Sequence, residues 1–509
     1  MIGTSVPAYI LIFTSSAFLR LVTPLSICYC ALRPFFRLPL LFLAVDVWAI
    51  SETCFYFLVY HPMRLHLQNP TTHPPLRSRE ERRELFRRCQ DNMPDPEKFL
   101  SKWFLDAPLS DIKRDNVKEF YSWAFLDTDT PKPDDDEELE EYVDGIEETL
   151  GRRIEPGRGK AKCLRLTLDK VDMRHRPLIW YLAVFVVDNT THLFMLWHGF
   201  HYYRTRLGPF PPILPSRPQT WLSPNRSPAE QLSYWHRPHT SKKKLPILFI
   251  HGIGIGLYPY VPFLAGLNRN ADPDDDDDGQ VGIIAVEILP VSFRMTHKAL
   301  GRTEMCRQIE TILLRHGFEK VVVVSHSYGS VITTHLLQDP QISMHVASVV
   351  LVDPVSILLH LPDVAYNFTY RTPRAANELQ LWYFASKDMA VAHTLSRSFF
   401  WAENILWIED AGTRPLSVFL GGRDLIVDTA QVWRYLTTGR AGPGGGKGVN
   451  EEKEDEMKRD PKGWVGGDEG RLKVVWCDEA DHAQIFDRKE RLDGLVREVR
   501  RHSRMGRPE

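Results

Sequence analysis

The residues with the clearest chemical meaning are Ser325-His326-Ser327-Tyr328-Gly329. The β-branched run Val321-Val322-Val323-Val324 precedes them, and Val331 to Leu337, an apolar stretch ending before Pro340, follows. This pattern predicts a buried strand, a sharp turn and a helix, with Ser327 at the apex of a nucleophile elbow. The turn lifts the hydroxyl out of the sheet, and the start of the helix brings a partial positive charge that favours a developing oxyanion. Small residues two positions either side let strand and helix approach; the usual first glycine is here Ser325, small but with a Cβ. A serine hydroxyl is a poor nucleophile until a positioned imidazole accepts its proton. A second chemical stretch, His251-Gly252-Ile253-Gly254-Ile255-Gly256, follows the apolar run Pro246 to Ile250. Alternate glycines free the backbone to turn N–H groups toward a ligand. The spacing is G-x-G-x-G with no P-loop lysine, so an oxyanion hole suits it better than a phosphate cradle.

The elements that must position these residues start at Leu245, where the text alternates strands and helices. Gly282 to Ile288 predicts a strand, and Met305, Ile309, Ile312 and Leu313 mark one face of a helix that stops at Gly317. Ala347 to Val352 predicts a strand ending at Asp353-Pro354, and Leu416 to Leu420 one that opens into Gly421-Gly422-Arg423-Asp424. Leu472 to Trp476 leads through Asp478 and Asp481 to His482, and Leu492, Leu495, Val496 and Val499 mark a closing amphipathic helix. The acidic run Asp274 to Asp278 has the composition of a calcium loop but neither its alternation nor its terminal Glu, and predicts a solvated loop.

In this order of motifs, Leu245 to Val499 resembles the α/β-hydrolase superfamily, whose triad runs Ser…Asp…His along the chain. The resemblance implies an α/β fold: a mostly parallel sheet flanked by helices, with a cap inserted at about 356–409. By motif it gives Ser327 as nucleophile, Asp424 as acid and His482 as base, with Asp353 as the alternative acid. It gives the N–H groups of Tyr328 and Ile253 to the oxyanion, with Gly254 as the alternative to Ile253. No metal or cofactor is implied, and His251 and His326 are expected to be structural. Residues 439–471, glycine-rich and then highly charged, are expected to loop out between Asp424 and His482. A serine at the elbow disfavours the aspartate-nucleophile chemistry of epoxide hydrolases and dehalogenases.

Outside that stretch, 63 Lys+Arg against 65 Asp+Glu give no electrostatic support for nucleic-acid binding. Seven scattered cysteines without zinc-ligand spacing read as free thiols in a reducing compartment. Residues 7–31 and 38–60 are apolar and long enough to cross a bilayer, which takes about 20 residues, so 1–63 is expected to anchor the chain in a membrane. The arginines after the second segment, from Arg64 to Arg88, place the rest in the cytosol by the positive-inside rule. Residues 64–244 read as an accessory helical region and linker, with aromatic amphipathic segments at 97–105 and 116–126 and an edge strand over Leu164, Leu166 and Leu168. The apolar run Pro177 to Leu196 is broken by Asp188 to His192, which suits a membrane-facing or core helix at least as well as a span. Residues 245–502 are the expected catalytic domain, with an aromatic cap that includes Phe368, Trp382, Phe399, Trp401 and Trp407. The expectation is a membrane-anchored serine hydrolase cleaving a lipophilic carboxylic ester, whose partners are the lipid bilayer and that ester. Acyl transfer by the same triad, or a catalytically inactive scaffold with this fold, are the alternatives.

Overall fold

The valine run before the elbow lies at the centre of the sheet. The computed structural model describes residues 2–35, 43–205, 213–269, 278–439, 451–460, 463–467 and 470–505. The start of the second apolar segment, part of the 208–244 linker, the acidic run 274–277 and the glycine-rich start of the 439–471 loop lie outside the described residues.

Among the described residues nine strands form one sheet: β1 (His201–Tyr203), β2 (Ser233–Arg237), β3 (Ile247–Ile250), β4 (Ile283–Glu287), β5 (Val321–His326), β6 (Val346–Val352), β7 (Leu416–Gly421), β8 (Trp464–Gly466) and β9 (Leu472–Cys477). Their order is β1-β2-β4-β3-β5-β6-β7-β9-β8. The six strands from β4 to β9 are parallel, and β1, β2 and β8 close the edges antiparallel. A parallel sheet covered on both faces calls for continuous apolar strands, and Val321 to Val324 are fully buried. Alternate residues serve opposite faces. Val322, Val324, Val350 and Val352 pack with Phe263, Leu495 and Val499, whereas Val321, Val323, Val349 and Leu351 join the larger cluster on the other face.

That larger cluster corrects the expected boundaries. It includes Leu85, Phe99, Trp103, Phe120, Trp123, Tyr142 and Ile146 from helices Arg79–Asp91, Pro96–Trp103, Arg114–Leu126 and Asp136–Leu150. The accessory helices therefore share the hydrolase core, on the same side as the cap. The expected boundary at 245 also fails, because β1 and β2 come from 201–237 and β2 pairs with β4. Backbone pairing with a central strand outweighs the polar, proline-rich character that reads as a linker. Leu164, Leu166 and Leu168 form no strand: the Leu164 N–H bonds the Trp103 carbonyl at 2.9 Å, and residues 166–169 make a turn. Within the 439–471 loop, Glu451–Arg459 is helical and β8 adds an edge to β9.

Among the described residues, three helices are long and apolar enough to cross a membrane: Val6–Phe35, Leu43–His66 and Leu178–Trp197. The polar residues that interrupt the first two pair with each other: Thr23 donates to Glu52 at 2.5 Å, and Arg33 bonds Asp46 at 2.7 Å. Glu52 also accepts the Leu178 N–H at 2.8 Å, tying the second segment to the third helix. Arg20 of the first helix lies over the rings of Trp382 and Tyr383 in the cap. In Leu178–Trp197 the polar residues from Asp188 to Thr191 find partners within the protein, whereas His192 Nδ1 has none among the described residues. Asp188 is buried against Arg217 at 2.9 Å and Arg294 at 2.6 Å, and Asn189, Thr190 and Thr191 bond carbonyls four residues back. The helix runs unbroken, and Leu182, Val186, Leu193, Leu196 and Trp197 remain exposed along it.

Candidate active site

The elbow forms as its sequence requires. Ser327 sits between β5 and the helix Gly329–Gln338 with φ of 51°, a left-handed conformation that costs a non-glycine residue about 1–3 kcal/mol. A Cβ at Gly329 would lie 2.4 Å from the Ile250 carbonyl oxygen, so only glycine fits there. Ser325 is accommodated: its buried Oγ accepts from the Thr333 hydroxyl at 2.8 Å on the packed helix. Ser330 locks the turn, donating to the Ser327 carbonyl at 2.7 Å and accepting from the Val355 and Ser356 N–H groups at 3.1 and 3.3 Å.

The parallel strands end on one edge of the sheet, and their following loops converge there. His482 Nε2 lies 2.8 Å from Ser327 Oγ, and its Nδ1 lies 2.7 Å from Asp424 Oδ2. Asp424, whose side chain is fully buried, uses Oδ1 to accept the Ile426 and Val427 N–H groups at 2.7 and 2.9 Å. These bonds fix the carboxylate plane and leave Oδ2 for the imidazole. Burial would push the His482 imidazole down, but the charge of Asp424 and the hydrogen bond to it outweigh that; with Asp353 and Asp481 adding, it is pushed up to about 9. The arrangement can take a proton from Ser327 and hold it as an imidazolium against a buried carboxylate.

The alternative acid is placed differently. Asp353, at φ 44° after β6, accepts the Gly421 N–H at 2.9 Å and the Ala483 N–H at 2.8 Å. It ties the acid loop to the base loop and makes no hydrogen bond to His482. Burial, then the nearby charge of Asp424, push its carboxyl up to about 7. Asp353, Asp424 and His482 offer ligand atoms within 4.8 Å of one another. Both imidazole nitrogens are already engaged, so a metal there would have to displace Asp424 or Ser327.

Of the oxyanion candidates, the Gly254 N–H donates to the Val291 carbonyl at 3.1 Å and is spent. Tyr328 and Ile253 have backbone N–H groups with no acceptor among the described residues. The glycine turn presses on the nucleophile: a Cβ on Gly252 would lie 2.9 Å from Ser327 Cβ. His251 bonds the Ile288 N–H at 2.9 Å and, with burial pushing it down to about 4, stays neutral. His326 meets the Tyr260 hydroxyl at 2.8 Å and is likewise held neutral by burial.

Sequence reasoning missed two groups. Asp481 accepts the Leu425 N–H at 3.1 Å and Asn377 Nδ2 at 2.6 Å, joining the acid loop, the base loop and the cap. Its only signal was adjacency to His482. The second group is the far wall of the pocket at Ser327. Val355, Leu359, Leu395 and Phe399 come from the hydrolase and cap, but Trp103, Trp123 and Leu166 come from the accessory region. No local pattern could bring them there, because they reach the site only through the shared core.

Residues 246–436 match the family model described as the alpha/beta hydrolase fold. Similar solved structures include a bacterial membrane phospholipase A described as a virulence factor (12% identity, 64% of this chain and 94% of that chain covered, TM-score 0.35). Others are naproxen esterase from Bacillus subtilis (14% identity, 62% and 96%, TM-score 0.34) and a thermophilic esterase from Thermogutta terrifontis (13% identity, 53% and 94%, TM-score 0.32). No curated protein matches the chain by sequence. Residues 246–436 thus carry the alpha/beta hydrolase fold.

Proposed function

We propose that this protein is a membrane-anchored serine hydrolase that cleaves a carboxylic ester with a lipophilic acyl group. The observation that carries the reading is the unbroken hydrogen-bond chain Asp424–His482–Ser327 opening into an apolar, tryptophan-walled pocket. In the first half-reaction Ser327 Oγ attacks the ester carbonyl while His482 Nε2 takes its proton. Asp424 keeps the other imidazole proton on Nδ1 and stabilises the imidazolium. The Tyr328 and Ile253 N–H groups face the charge developing on the carbonyl oxygen, where losing one donor costs on the order of 3 kcal/mol. The imidazolium then protonates the departing alcohol, leaving an acyl-Ser327. Water, deprotonated by His482, cleaves that ester, and the carboxylic acid leaves with Ser327 regenerated.

The apolar helices and their contacts with the cap support the membrane part of the reading, with the hydrolase domain on the cytosolic side. A fluorophosphonate probe tests the chemistry. Wild type should label and Ser327→Ala should not; equal labelling of the two, or none in wild type, would sink the assignment.

A further inference from the structure

The apolar pocket at Ser327 is lined almost wholly by apolar side chains. On the other side of Tyr328 lies a larger cleft of about 490 Å³. Tyr328 lines both spaces, Phe399 lines the apolar pocket and its neighbour Phe400 lines the cleft. The rings of Tyr328 and Phe399, 6.3 Å apart, thus lie between the apolar pocket, which Ser327 lines, and a cleft lined by charged side chains.

The cleft carries cations that no carboxylate holds in a hydrogen-bonded ion pair among the described residues. Lys298 and Arg302 line it and have no hydrogen bond or ion pair from their side chains among the described residues. Arg397, 7% exposed, gives its guanidinium to the carbonyls of Gln68, Asn69, Thr167, Asp169 and Ser396, none of them charged. Against these stands Glu403, whose acid burial pushes up although the charges of Arg302 and Arg77 oppose it; Glu304 is tied to Arg307 and Gln308. The helix Arg302–Arg315 also begins at the cleft, with no side-chain cap on its first N–H groups.

A second observation concerns buried atoms. His335 and Asn404, 8% and 3% exposed, both line the cleft and bond each other, Nε2 to Oδ1, at 2.8 Å. The amide oxygen can only accept, so the imidazole proton is on Nε2. That leaves His335 Nδ1 as a bare acceptor and Asn404 Nδ2 as a donor, and neither has a partner among the described residues. Buried polar atoms are normally paired. An anion would take the amide donor together with the cations, and a hydroxyl would supply the proton that His335 lacks.

We propose that this cleft binds the alcohol part of the ester, and that this part is a phosphorylated polyol. The assignment rests on the reading of Ser327 as the acylated nucleophile. Water and the ester give the free acid and the phosphorylated alcohol, with the phosphate group itself untouched.

The test compares a 1-acylglycerol 3-phosphate with the 1-acylglycerol of the same chain, each dilute in uncharged detergent micelles, using the full-length enzyme. Wild type should hydrolyse the phosphate ester with at least ten-fold higher kcat/KM. In Arg302→Gln, and more in Lys298→Gln/Arg302→Gln, that advantage should fall at least ten-fold through KM, with the neutral ester changed less than two-fold. Glycerol 3-phosphate should compete against the neutral ester in wild type and not in the double variant. No preference in wild type, or equal losses on both esters, overturns the proposal. Inorganic phosphate competing as strongly as glycerol 3-phosphate would mark a free-anion site and overturn the headgroup assignment. Fluorophosphonate labelling separates the two readings: labelled Ser327 without headgroup preference defeats this proposal alone, whereas an unlabelled wild type defeats the function beneath it.

Discussion

Replacing Asp424 by asparagine keeps the shape of the acid and removes its charge, so it isolates what the buried carboxylate does for His482. The imidazole is pushed from an ordinary 6.5 to about 9 even though burial works the other way. At about 1.4 kcal/mol per pKa unit, that is a net preference for the imidazolium on the order of 3 kcal/mol, and more before burial is subtracted. Losing it slows formation of the charged intermediate by a factor on the order of 100. The variant amide can also donate to Nδ1, which forces the proton onto Nε2, where it faces Ser327 and blocks base catalysis. The two effects together should lower kcat about 10,000-fold at pH 7, the size expected when the tautomer is wrong. A p-nitrophenyl ester assay from pH 5 to 10 reads both. Activity needs neutral His482, so wild-type kcat/KM should rise with pH through a limb well above 6.5 and approaching 9. In Asp424→Asn the limb should move to lower pH, because burial then meets less opposition. A variant that keeps more than a tenth of wild-type activity, or an unmoved limb, would refute the reasoning. Asp353→Asn is the companion measurement. It weakens the tie between the Gly421 and Ala483 loops and should lower thermal stability more than kcat; a larger kcat loss than Asp424→Asn in folded protein would reverse the two roles.

Three further outcomes are expected. Gly329→Ala would put a Cβ 2.4 Å from the Ile250 carbonyl, so the helix must leave the strand; fluorophosphonate labelling should be lost, and full labelling would show that the elbow can relax. Trp123→Ala should extend the accepted acyl chain, because Trp103, Trp123 and Trp401 also wall a second apolar cavity beyond the first; hydrolysis of esters of 4 to about 18 carbons reads it, with melting temperature followed because such truncations cost about 3–5 kcal/mol. In sealed microsomes added protease should digest the hydrolase domain, and full protection would place it on the lumenal side.

The sheet was legible because its strands are buried on both faces and read as short blocks of Val, Ile and Leu. The elbow was legible for a local reason too: strand, small residues and helix are contiguous in the chain, and Gly329 has a backbone neighbour that only glycine tolerates. The glycine turn and the loops ending in Asp424 and His482 also follow strand ends, so motif order placed them on one edge. What stayed open or failed were inferences that needed partners distant in the chain. Asp188 to His192 left open whether the run Pro177 to Leu196 is a span or a membrane-facing or core helix, because Arg217 and Arg294, which bury Asp188, lie elsewhere in the sequence. β2 looked like linker because the strand it pairs with begins near residue 283.

The sequence by itself thus determined the fold class, the apolar segments and the candidate nucleophile, acid and base, because each is written in local pattern and chain order. Only the tertiary structure decided the rest. It set Asp424 against His482 Nδ1 and gave the Asp353 carboxylate to loop N–H groups. It spent the Gly254 N–H on Val291 and left that of Ile253 without an acceptor among the described residues. It also brought Trp103 and Trp123 to the pocket across more than 200 residues of chain, through a core that the helices of 79–150 cannot close without the sheet.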